Sequence, residues 1–171
     1  MGIASDLGYV FRSPNLAQRV TQKFGSTPVG AKSFALSLRH MDGVVRKMTN
    51  GERSAASILG GLPVLDITTT GRKSGQRRTT KLIAIPYSDT LALLGTNFGG
   101  KNTPAWVHNL EADPNVTVSY RGATVDAVAV KADAEQQAEV LSRSEAIYPG
   151  YREYQKRITG RTLRIFILQA R

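Results

Sequence analysis

The sequence predicts an α+β fold whose strands form a mainly antiparallel barrel, with helices before and beside it. Strand-like segments after residue 62 arrive in pairs joined by tight turns, and the preceding segment has the periodicity of a helix. The chain has 171 residues, 41% of them hydrophobic, so it can bury one core of single-domain size. Strands that arrive mainly as hairpins favour either a barrel or another α+β arrangement.

The first third of the chain is predicted to be helical. Residues 14–50 carry apolar side chains at the spacing of one helix face, flanked by basic side chains. The stripe consists of Phe34, Leu38, Met41, Val45 and Met48. Such a helix either packs on the domain or lies on an anionic membrane. Because Gly60-Gly61 breaks the pattern, residues 1–60 are expected to form a helical segment and residues 61–171 the barrel domain.

The next elements read as a hairpin, a short strand and a glycine-containing loop. Val64–Thr70 is rich in β-branched residues, residues 71–75 have turn composition, and residues 77–86 can return as the partner strand. A short apolar strand follows at 91–95. The two glycines of the loop at 96–102 let the backbone approach a ligand closely.

The remaining half of the barrel is predicted from a second hairpin and a closing strand. Thr103 is expected to cap a helix that has Pro104 at its first position and ends before Pro114. Residues 116–120 and 124–130 alternate around Arg121-Gly122 and form the hairpin. The other elements are a helix at 133–147, an interruption at Pro149-Gly150 and a strand at 164–168.

Composition removes several classes of chemistry. The chain has no cysteine and only two histidines, His40 and His108, so no metal site is expected and thiol catalysis is excluded. It has no apolar run of 18 residues, and its first residues lack the pattern of a signal peptide, so a cytoplasmic location is expected. The patterns G-x-S-x-G and G-x-G-x-x-G are absent. Residues 95–102 match a P-loop except at Asn102, where that motif needs a Mg²⁺-binding hydroxyl.

The charge balance points to an anionic partner. Lys and Arg outnumber Asp and Glu by 23 to 13, a net charge of +10, which suits nucleic acid, an anionic membrane or a polyanionic small molecule. Between Asp66 and Asp89 there are five bases and no acid: Arg72, Lys73, Arg77, Arg78 and Lys81. Such a turn can clamp phosphate or carboxylates through charge-assisted hydrogen bonds, or it can be a solvated hairpin tip.

Three tyrosines recur near the end of the chain, at Tyr148, Tyr151 and Tyr154. An aromatic stripe is usually part of a core. Here charged residues alternate with the phenols, which leaves open a half-exposed pocket wall that stacks on a planar ring or donates a proton. Trp106 likewise either anchors the core or lines that pocket.

Several short motifs together carry a family resemblance over about residues 62 to 168. They are residues 62–75, Arg78, Gly99-Gly100, Pro104-Ala105-Trp106, Asn109-Leu110, residues 113–116 and residues 148–154. In this order they resemble the deazaflavin-dependent nitroreductase family, whose members bind coenzyme F420 in a split β-barrel. The resemblance therefore implies a split β-barrel with flanking helices and reduced coenzyme F420 as the hydride donor.

The resemblance also implies roles for individual residues. The cofactor-binding residues would be Lys73 and Arg78 at the phosphate and glutamyl tail, Thr79, Thr80, Gly95, Thr96 and Asn97 beside the phospholactyl group and ring, and Trp106 and Asn109 on the helix that completes the groove. The catalytic residues would be Tyr148, Tyr151 and Tyr154, on the substrate side of the deazaflavin. Arg77 and Lys81 stand where relatives often carry proline, which adds positive charge near the tail.

The implied activity is a reductase that transfers hydride from reduced coenzyme F420 to an electron-poor small molecule: an activated alkene or enone, a quinone or a nitro compound. The alternative is an FMN-binding, haem-binding or non-catalytic carrier protein. No nucleic-acid partner is expected, because bases and aromatics are not interleaved on one predicted sheet face. Peripheral membrane contact through the N-terminal helix and the oligomeric state stay open.

Overall fold

A computed structural model describes residues 2–11, 15–30, 33 and 62–171 of the chain. The apolar stripe predicted between Phe34 and Met48, and the predicted segment boundary at residues 60 and 61, lie outside the described residues. No helix in the described part of the chain is long and apolar enough to cross a membrane.

Six antiparallel strands close into a barrel, as the sequence predicted. They are β1 (Val64–Thr70), β2 (Arg77–Tyr87), β3 (Thr90–Leu94), β4 (Asn115–Tyr120), β5 (Ala123–Lys131) and β6 (Ile165–Ala170). Their order around the barrel is β1-β2-β3-β6-β5-β4, and every neighbouring pair is antiparallel. A closed barrel of this kind leaves no unpaired strand edge.

Helices precede the barrel and lie beside it. They are α1 (Ile3–Asp6), α2 (Leu16–Ser26), α3 (Ala105–Ala112), α4 (Ala134–Ile147) and α5 (Gly150–Arg157), and a 3₁₀ turn spans Asn97–Gly99. The start of α2 is determined by Asn15, whose side chain accepts from the Gln18 backbone N–H while the Gln18 side chain accepts from Asn15. The same reciprocal cap starts α4 at Asp133 and Gln136.

The predicted start of α3 needs correction, whereas the predicted interruption at Pro149-Gly150 is confirmed. Pro104 has an extended ψ of 146° and makes no side-chain cap, so it precedes α3 rather than forming its first residue, and Thr103 does not cap the helix. The interruption at Pro149-Gly150 is real but short, because α5 begins at Gly150 itself. The α1 turn was not predicted; it packs Ile3 and Leu7 against the barrel core.

The barrel interior is filled by alternate residues of the strands. On β1 the residues Leu65, Ile67 and Thr69 are buried, and their neighbours along the strand are half-buried. Each fully buried aliphatic side chain of this size contributes about 1.5–3 kcal/mol of burial free energy. The alternation therefore determines which face of each strand points inward.

Strands β3 and β6 are buried on both faces. Their outer sides form a second apolar cluster with α4 and α5, which includes Leu94, Ile165, Val140 and Ile147. This explains why these two strands are continuous apolar runs in the sequence, whereas β1 and β4 alternate. The second cluster also contains all three predicted tyrosines.

Candidate functional site

The turn between β1 and β2 presents basic side chains to solvent. Its backbone closes locally: the Gly71 N–H donates to the Gln76 carbonyl at 2.8 Å, and the Gly75 N–H donates to the Gly71 carbonyl at 2.7 Å. Residues 72–79 are all exposed. Because the turn is closed by these backbone bonds, with the Ser74 hydroxyl accepting from the Gln76 N–H at 3.3 Å, its charged side chains are not needed to hold its shape.

Arg72, Lys73 and Arg78 carry the charge of this turn. The Arg72 and Lys73 side chains have no hydrogen-bond or ion-pair partner among the residues that the structure describes. Arg78 Nη2 donates to the amide oxygen of Gln76 at 3.2 Å, which is a neutral partner. Three positive charges thus stand together without a carboxylate, an arrangement suited to binding an anion.

Arg77 and Lys81 differ from these three cations. Arg77 Nη2 donates to the Thr117 hydroxyl at 2.6 Å, while Lys81 Nζ forms an ion pair of 2.7 Å with Asp66. The extra positive charge at position 81 is therefore compensated within the barrel wall, and only Arg77 adds to the charge of the turn.

Thr79 and Thr80, both predicted to bind cofactor, lie on opposite faces of β2. Thr80 pairs with Ile67, whose side chain points into the barrel, while Thr79 pairs with Thr68 on the outer face and its hydroxyl lies 2.8 Å from the Thr68 hydroxyl. Arg78 pairs with buried Thr69 and so shares the inner face with Thr80. The two threonine side chains consequently do not meet on one surface.

Asn109 of α3 ties the helix to the turn. Its side-chain oxygen accepts from the Arg72 backbone N–H at 3.1 Å, and its Nδ2 donates to the Thr69 hydroxyl at 3.0 Å. Asn109 is buried, so these bonds are not exchanged for water. Trp106, one turn earlier, is also buried and packs against Phe166 with ring centroids 6.2 Å apart. Both side chains make contacts within the protein itself. That they also contact a cofactor stays a prediction.

The loop that follows β3 has an unusual backbone. Asn97, Phe98 and Gly99 have consecutive positive φ values of 48°, 54° and 78°. Two of the three are not glycine, so the surrounding structure must hold them in that region. Asn97 Nδ2 donates across the loop to the Asn102 carbonyl at 3.0 Å.

Arg161 is the functional candidate that sequence reasoning missed. Its guanidinium donates to the carbonyls of Gly95 at 3.0 Å, Thr96 at 2.7 Å and Gly100 at 3.1 Å. Burial lowers the pKa of Arg161. No pattern around residue 161 signals this role, because its partners lie more than sixty residues away in the chain.

The three tyrosines meet in one buried cluster. Their ring centroids lie 5.6 to 6.3 Å apart, and each residue is only 4 to 5% exposed. The hydroxyls of Tyr148 and Tyr154 are 3.0 Å apart, and Tyr154 donates to the Gly25 carbonyl of α2 at 3.1 Å. Tyr151 donates to the Ile83 carbonyl at 3.3 Å. Of the two sequence interpretations, the structure supports the packed core rather than a half-exposed wall.

The electrostatics of this cluster keep the phenols protonated. Burial raises the pKa of Tyr148, Tyr151 and Tyr154 above the ordinary tyrosine value. The guanidinium of Arg157 lies 5.7 Å from the Tyr154 ring centroid and opposes part of this shift in the pKa of Tyr154. Arg157 also donates to the Ser26 carbonyl at the end of α2. The cluster therefore supplies hydroxyl donors, not phenolates, at neutral pH.

The loop after β3 and the tyrosine cluster are neighbours. The Phe98 ring contacts the Tyr154 ring edge-on with centroids 5.9 Å apart. Gly95, Thr96 and Asn97 are thus brought close to α5, while Lys73, Arg78 and Asn109 gather at the β1–β2 turn. The described residues contain no group of three or more side chains that could hold a metal ion.

Solved structures define the class of this protein. An F420-H2 dependent reductase (FDR-A) matches with a TM-score of 0.57 and 30% sequence identity, over 63% of this chain and 94% of its own. Another structure, described as a domain-swapped dimer, matches with a TM-score of 0.58 and 27% identity, over 74% of this chain and 98% of its own. The barrel is therefore the split β-barrel found in F420-dependent reductases.

The family follows from the sequence. The profile of the F420H(2)-dependent quinone reductases matches residues 38–170, and the chain belongs to this family. Relatives named F420H(2)-dependent quinone reductase in two strains of Mycobacterium tuberculosis are 32% identical over 88 residues. That match covers 52% of this chain and 58% of theirs, so the chain spans little more than half the length of these curated relatives.

The residues present fit the cofactor that the family name states. Coenzyme F420 consists of a flat deazaflavin ring and a tail that carries a phosphodiester and several carboxylates. The donor set of Arg72, Lys73 and Arg78 is cationic, exposed and without carboxylate partners, which matches such a tail. In the other loop the backbone N–H groups of Asn97 and Phe98 have no acceptor among the described residues, so they are free to bind polar atoms of a ligand.

Proposed function

We propose that this protein is an F420H2-dependent reductase and that a quinone is its hydride acceptor. The observation that carries the proposal is the β1–β2 turn, whose exposed cations Arg72, Lys73 and Arg78 have no carboxylate partner among the described residues, in a chain that belongs to a quinone reductase family. The competing acceptors are activated alkenes and nitro compounds. Nitro compounds are the acceptors after which the nitroreductase family is named. When bound, the reduced cofactor supplies the hydride.

Lys73 and Arg78 bind the anionic tail in this proposal, and Asn109 keeps their turn in place. The tail contacts are charge-assisted hydrogen bonds at an exposed site, so they weaken as salt concentration rises. Asn109 acts from behind by holding the Arg72 backbone. The work of these residues is positioning: they hold the cofactor so that its ring and the acceptor meet in a fixed geometry.

A tyrosine supplies the proton. A quinone that receives a hydride needs one further proton to become a hydroquinone, and Tyr151 and Tyr154 are protonated donors beside the loop after β3. Both side chains are buried in the core and their hydroxyls donate to the Ile83 and Gly25 carbonyls, so in this proposal binding of the acceptor must open the cluster and the donor must exchange its carbonyl for the substrate oxygen. A water molecule held by these hydroxyls could supply the proton instead.

The test combines the purified protein with chemically reduced coenzyme F420 and a panel of quinones, enones and nitroaromatics. We expect oxidation of the cofactor with quinones, and a cofactor affinity that falls with added salt. Faster oxidation of the cofactor with nitroaromatics or enones would contradict the assignment of a quinone as the acceptor. Binding without turnover across the panel would indicate a carrier, and tighter binding of FMN would overturn the cofactor assignment.

We also propose a cytoplasmic protein that touches the membrane surface through its N-terminal segment. On α2, Leu16 is 81% and Val20 66% exposed, one helical turn apart, with Lys23 on the same short helix. Sedimentation with vesicles tests this: the protein should bind vesicles that contain anionic lipid and release when Leu16 and Val20 are changed to serine. Equal binding by wild type and this variant would contradict the proposal.

A further inference from the structure

All three guanidinium nitrogens of Arg161 donate to the same loop. Nε, Nη1 and Nη2 each donate to a different carbonyl, those of Gly100, Gly95 and Thr96. Arg161 is half-buried and forms no ion pair with a carboxylate in the part of the chain that the structure describes. A cation that is withdrawn from water is usually paired with an acid. Because the Arg161 guanidinium is bonded to backbone carbonyls instead, we take its role to be holding the loop that carries them.

The loop needs an external support. Asn97 and Phe98 occupy the left-handed region, which costs free energy for residues with a side chain. The internal bonds of the loop are few: the Gly99 N–H donates to the Thr96 carbonyl at 2.9 Å, and the Gly100 N–H donates to the Asn97 carbonyl at 2.8 Å. The three bonds from Arg161 join both ends of this strained segment to a single rigid plane.

The bond to Thr96 also orients a free donor. In a trans peptide the carbonyl oxygen and the following N–H point in opposite directions, and the described residues contain no cis peptide. Because the Thr96 carbonyl faces Arg161, the Asn97 N–H must face away from it. That N–H has no acceptor among the described residues. Arg161 thereby presents an unused hydrogen-bond donor on the far side of the loop.

We propose that Arg161 is a positioning residue for the cofactor ring: by binding the carbonyls of Gly95, Thr96 and Gly100 it holds the loop so that the Asn97 N–H donates to a polar atom of the deazaflavin. This inference rests on the proposed function. It separates the two halves of the cofactor site, since Lys73 and Arg78 act on the tail while Arg161 acts on the ring through the backbone. Arg161 itself touches no reacting atom.

The variants are Arg161→Gln, Arg161→Lys and, as the matched control, Arg164→Gln. Arg164 lies three residues further on and has the same charge, but its Nε donates to Glu111 at 3.0 Å instead of to the loop. Lysine keeps the charge of residue 161 and loses the planar fork, so Arg161→Lys separates the effect of charge from that of geometry. Melting temperatures test whether the three variants are folded.

The ligands are oxidised coenzyme F420 and the deazaflavin riboside, which has the ring without the phosphate and glutamates. Fluorescence titration gives both dissociation constants, and hydrogen exchange measures the protection of amides 95–102 in the cofactor-free protein. We expect Arg161→Gln to weaken both ligands by about tenfold, the equivalent of about 1.4 kcal/mol. Arg161→Lys should lose several-fold, and Arg164→Gln less than twofold. Only the Arg161 variants should lose loop protection.

The control for the tail is the double variant Lys73→Gln/Arg78→Gln, which should weaken coenzyme F420 and leave the riboside unchanged. The proposal is overturned if wild type and Arg161→Gln bind the riboside equally, if Arg161→Lys binds it as wild type does, or if loop protection is the same in all variants. Failure of the wild type to bind coenzyme F420 would refute the proposed function itself, and the ring-positioning role with it. A wild type that binds coenzyme F420 while Arg161→Gln binds it equally well refutes the role of Arg161 alone.

Discussion

The β1–β2 turn and the loop after β3 use positive charge in opposite ways. In the turn the basic side chains of Arg72 and Lys73 point to solvent without partners among the described residues, and the backbone closes on itself. In the loop a distant arginine, Arg161, donates to the backbone carbonyls. A cation without a partner is available to a ligand, whereas a cation that is already bound shapes the segment that meets the ligand.

The difference follows from how each segment gets its conformation. A turn of five residues closes through a few local backbone bonds, with one added support from Asn109 to the Arg72 N–H, so its charged side chains are left for binding. A segment with two left-handed residues that are not glycine cannot be held locally and draws its support from elsewhere in the fold. Substitutions of the charged side chains in the turn should therefore change affinity alone, and substitutions in or under the loop should change affinity and stability together.

The largest effect is expected from removing the free charges of the turn. Lys73→Gln/Arg78→Gln should weaken coenzyme F420 by at least about 100-fold at low salt, since two charge-assisted hydrogen bonds of about 1.5 kcal/mol each, the low end expected at an exposed site, total about 3 kcal/mol. The free energy of unfolding should change by less than about 0.5 kcal/mol, because both side chains are exposed. Fluorescence titration and urea denaturation measure the two quantities. Lys156→Gln, which removes an exposed lysine paired with Glu153, is the control and should leave affinity unchanged.

A smaller effect is expected at the buried support of the turn. Asn109→Ala leaves the Thr69 hydroxyl and the Arg72 N–H without their partner, which should lower the free energy of unfolding by about 2 kcal/mol. Urea denaturation is the measurement, and Ser142→Ala, at an exposed position of α4, is the control. Unchanged stability of Asn109→Ala would show that Asn109 does not hold the turn.

Two glycines compare the segments directly. Gly75 in the turn has a φ of 65° and open space around it, so Gly75→Ala should cost about 1 kcal/mol from its backbone conformation alone. Gly99 in the loop has a φ of 78°, and a Cβ there would lie 2.9 Å from the Arg157 Cβ and 3.1 Å from the Tyr154 carbonyl oxygen. Gly99→Ala should therefore cost about 1 kcal/mol more than Gly75→Ala. Equal losses of unfolding free energy would show that the loop is no more constrained than the turn.

The smallest effect concerns pH and the tyrosine cluster beside the loop. Burial raises the pKa of Tyr151 in the folded protein, so above pH 10 the unfolded chain releases a proton that the folded chain keeps. The contribution of Tyr151 to the free energy of unfolding is therefore fully present below pH 10 and is lost as the pH rises above 10. By pH 11 the ionisation of Tyr151 in the unfolded chain should lower the free energy of unfolding by about 1.4 kcal/mol. Tyr151→Phe should reduce the fall in urea midpoint between pH 9 and 11; an unchanged fall would mean that Tyr151 ionises freely in the folded state.

Much of the barrel was accessible from local patterns. The predicted strand at residues 64–70 is Val64–Thr70, and the predicted helix at 133–147 is Ala134–Ile147. Alternation also places Thr79 and Thr80 on opposite faces of β2, although the resemblance assigned both to the cofactor. The sequence could not show that Pro104 lies before α3. Proline is compatible both with the residue that precedes a helix and with its first residue, and only the backbone angle ψ distinguishes the two.

The amino-acid sequence by itself determined the hairpins, the barrel strands and the cationic turn, because these depend on side-chain periodicity and on bonds between residues a few positions apart. Only the tertiary structure decided that the tyrosines are buried against α2 and that Arg161 holds the loop after β3. Those contacts join Tyr154 to Gly25 and Arg161 to Thr96. Contacts between such distant positions leave no local pattern in the chain: they exist only once the barrel has closed and brought these segments together.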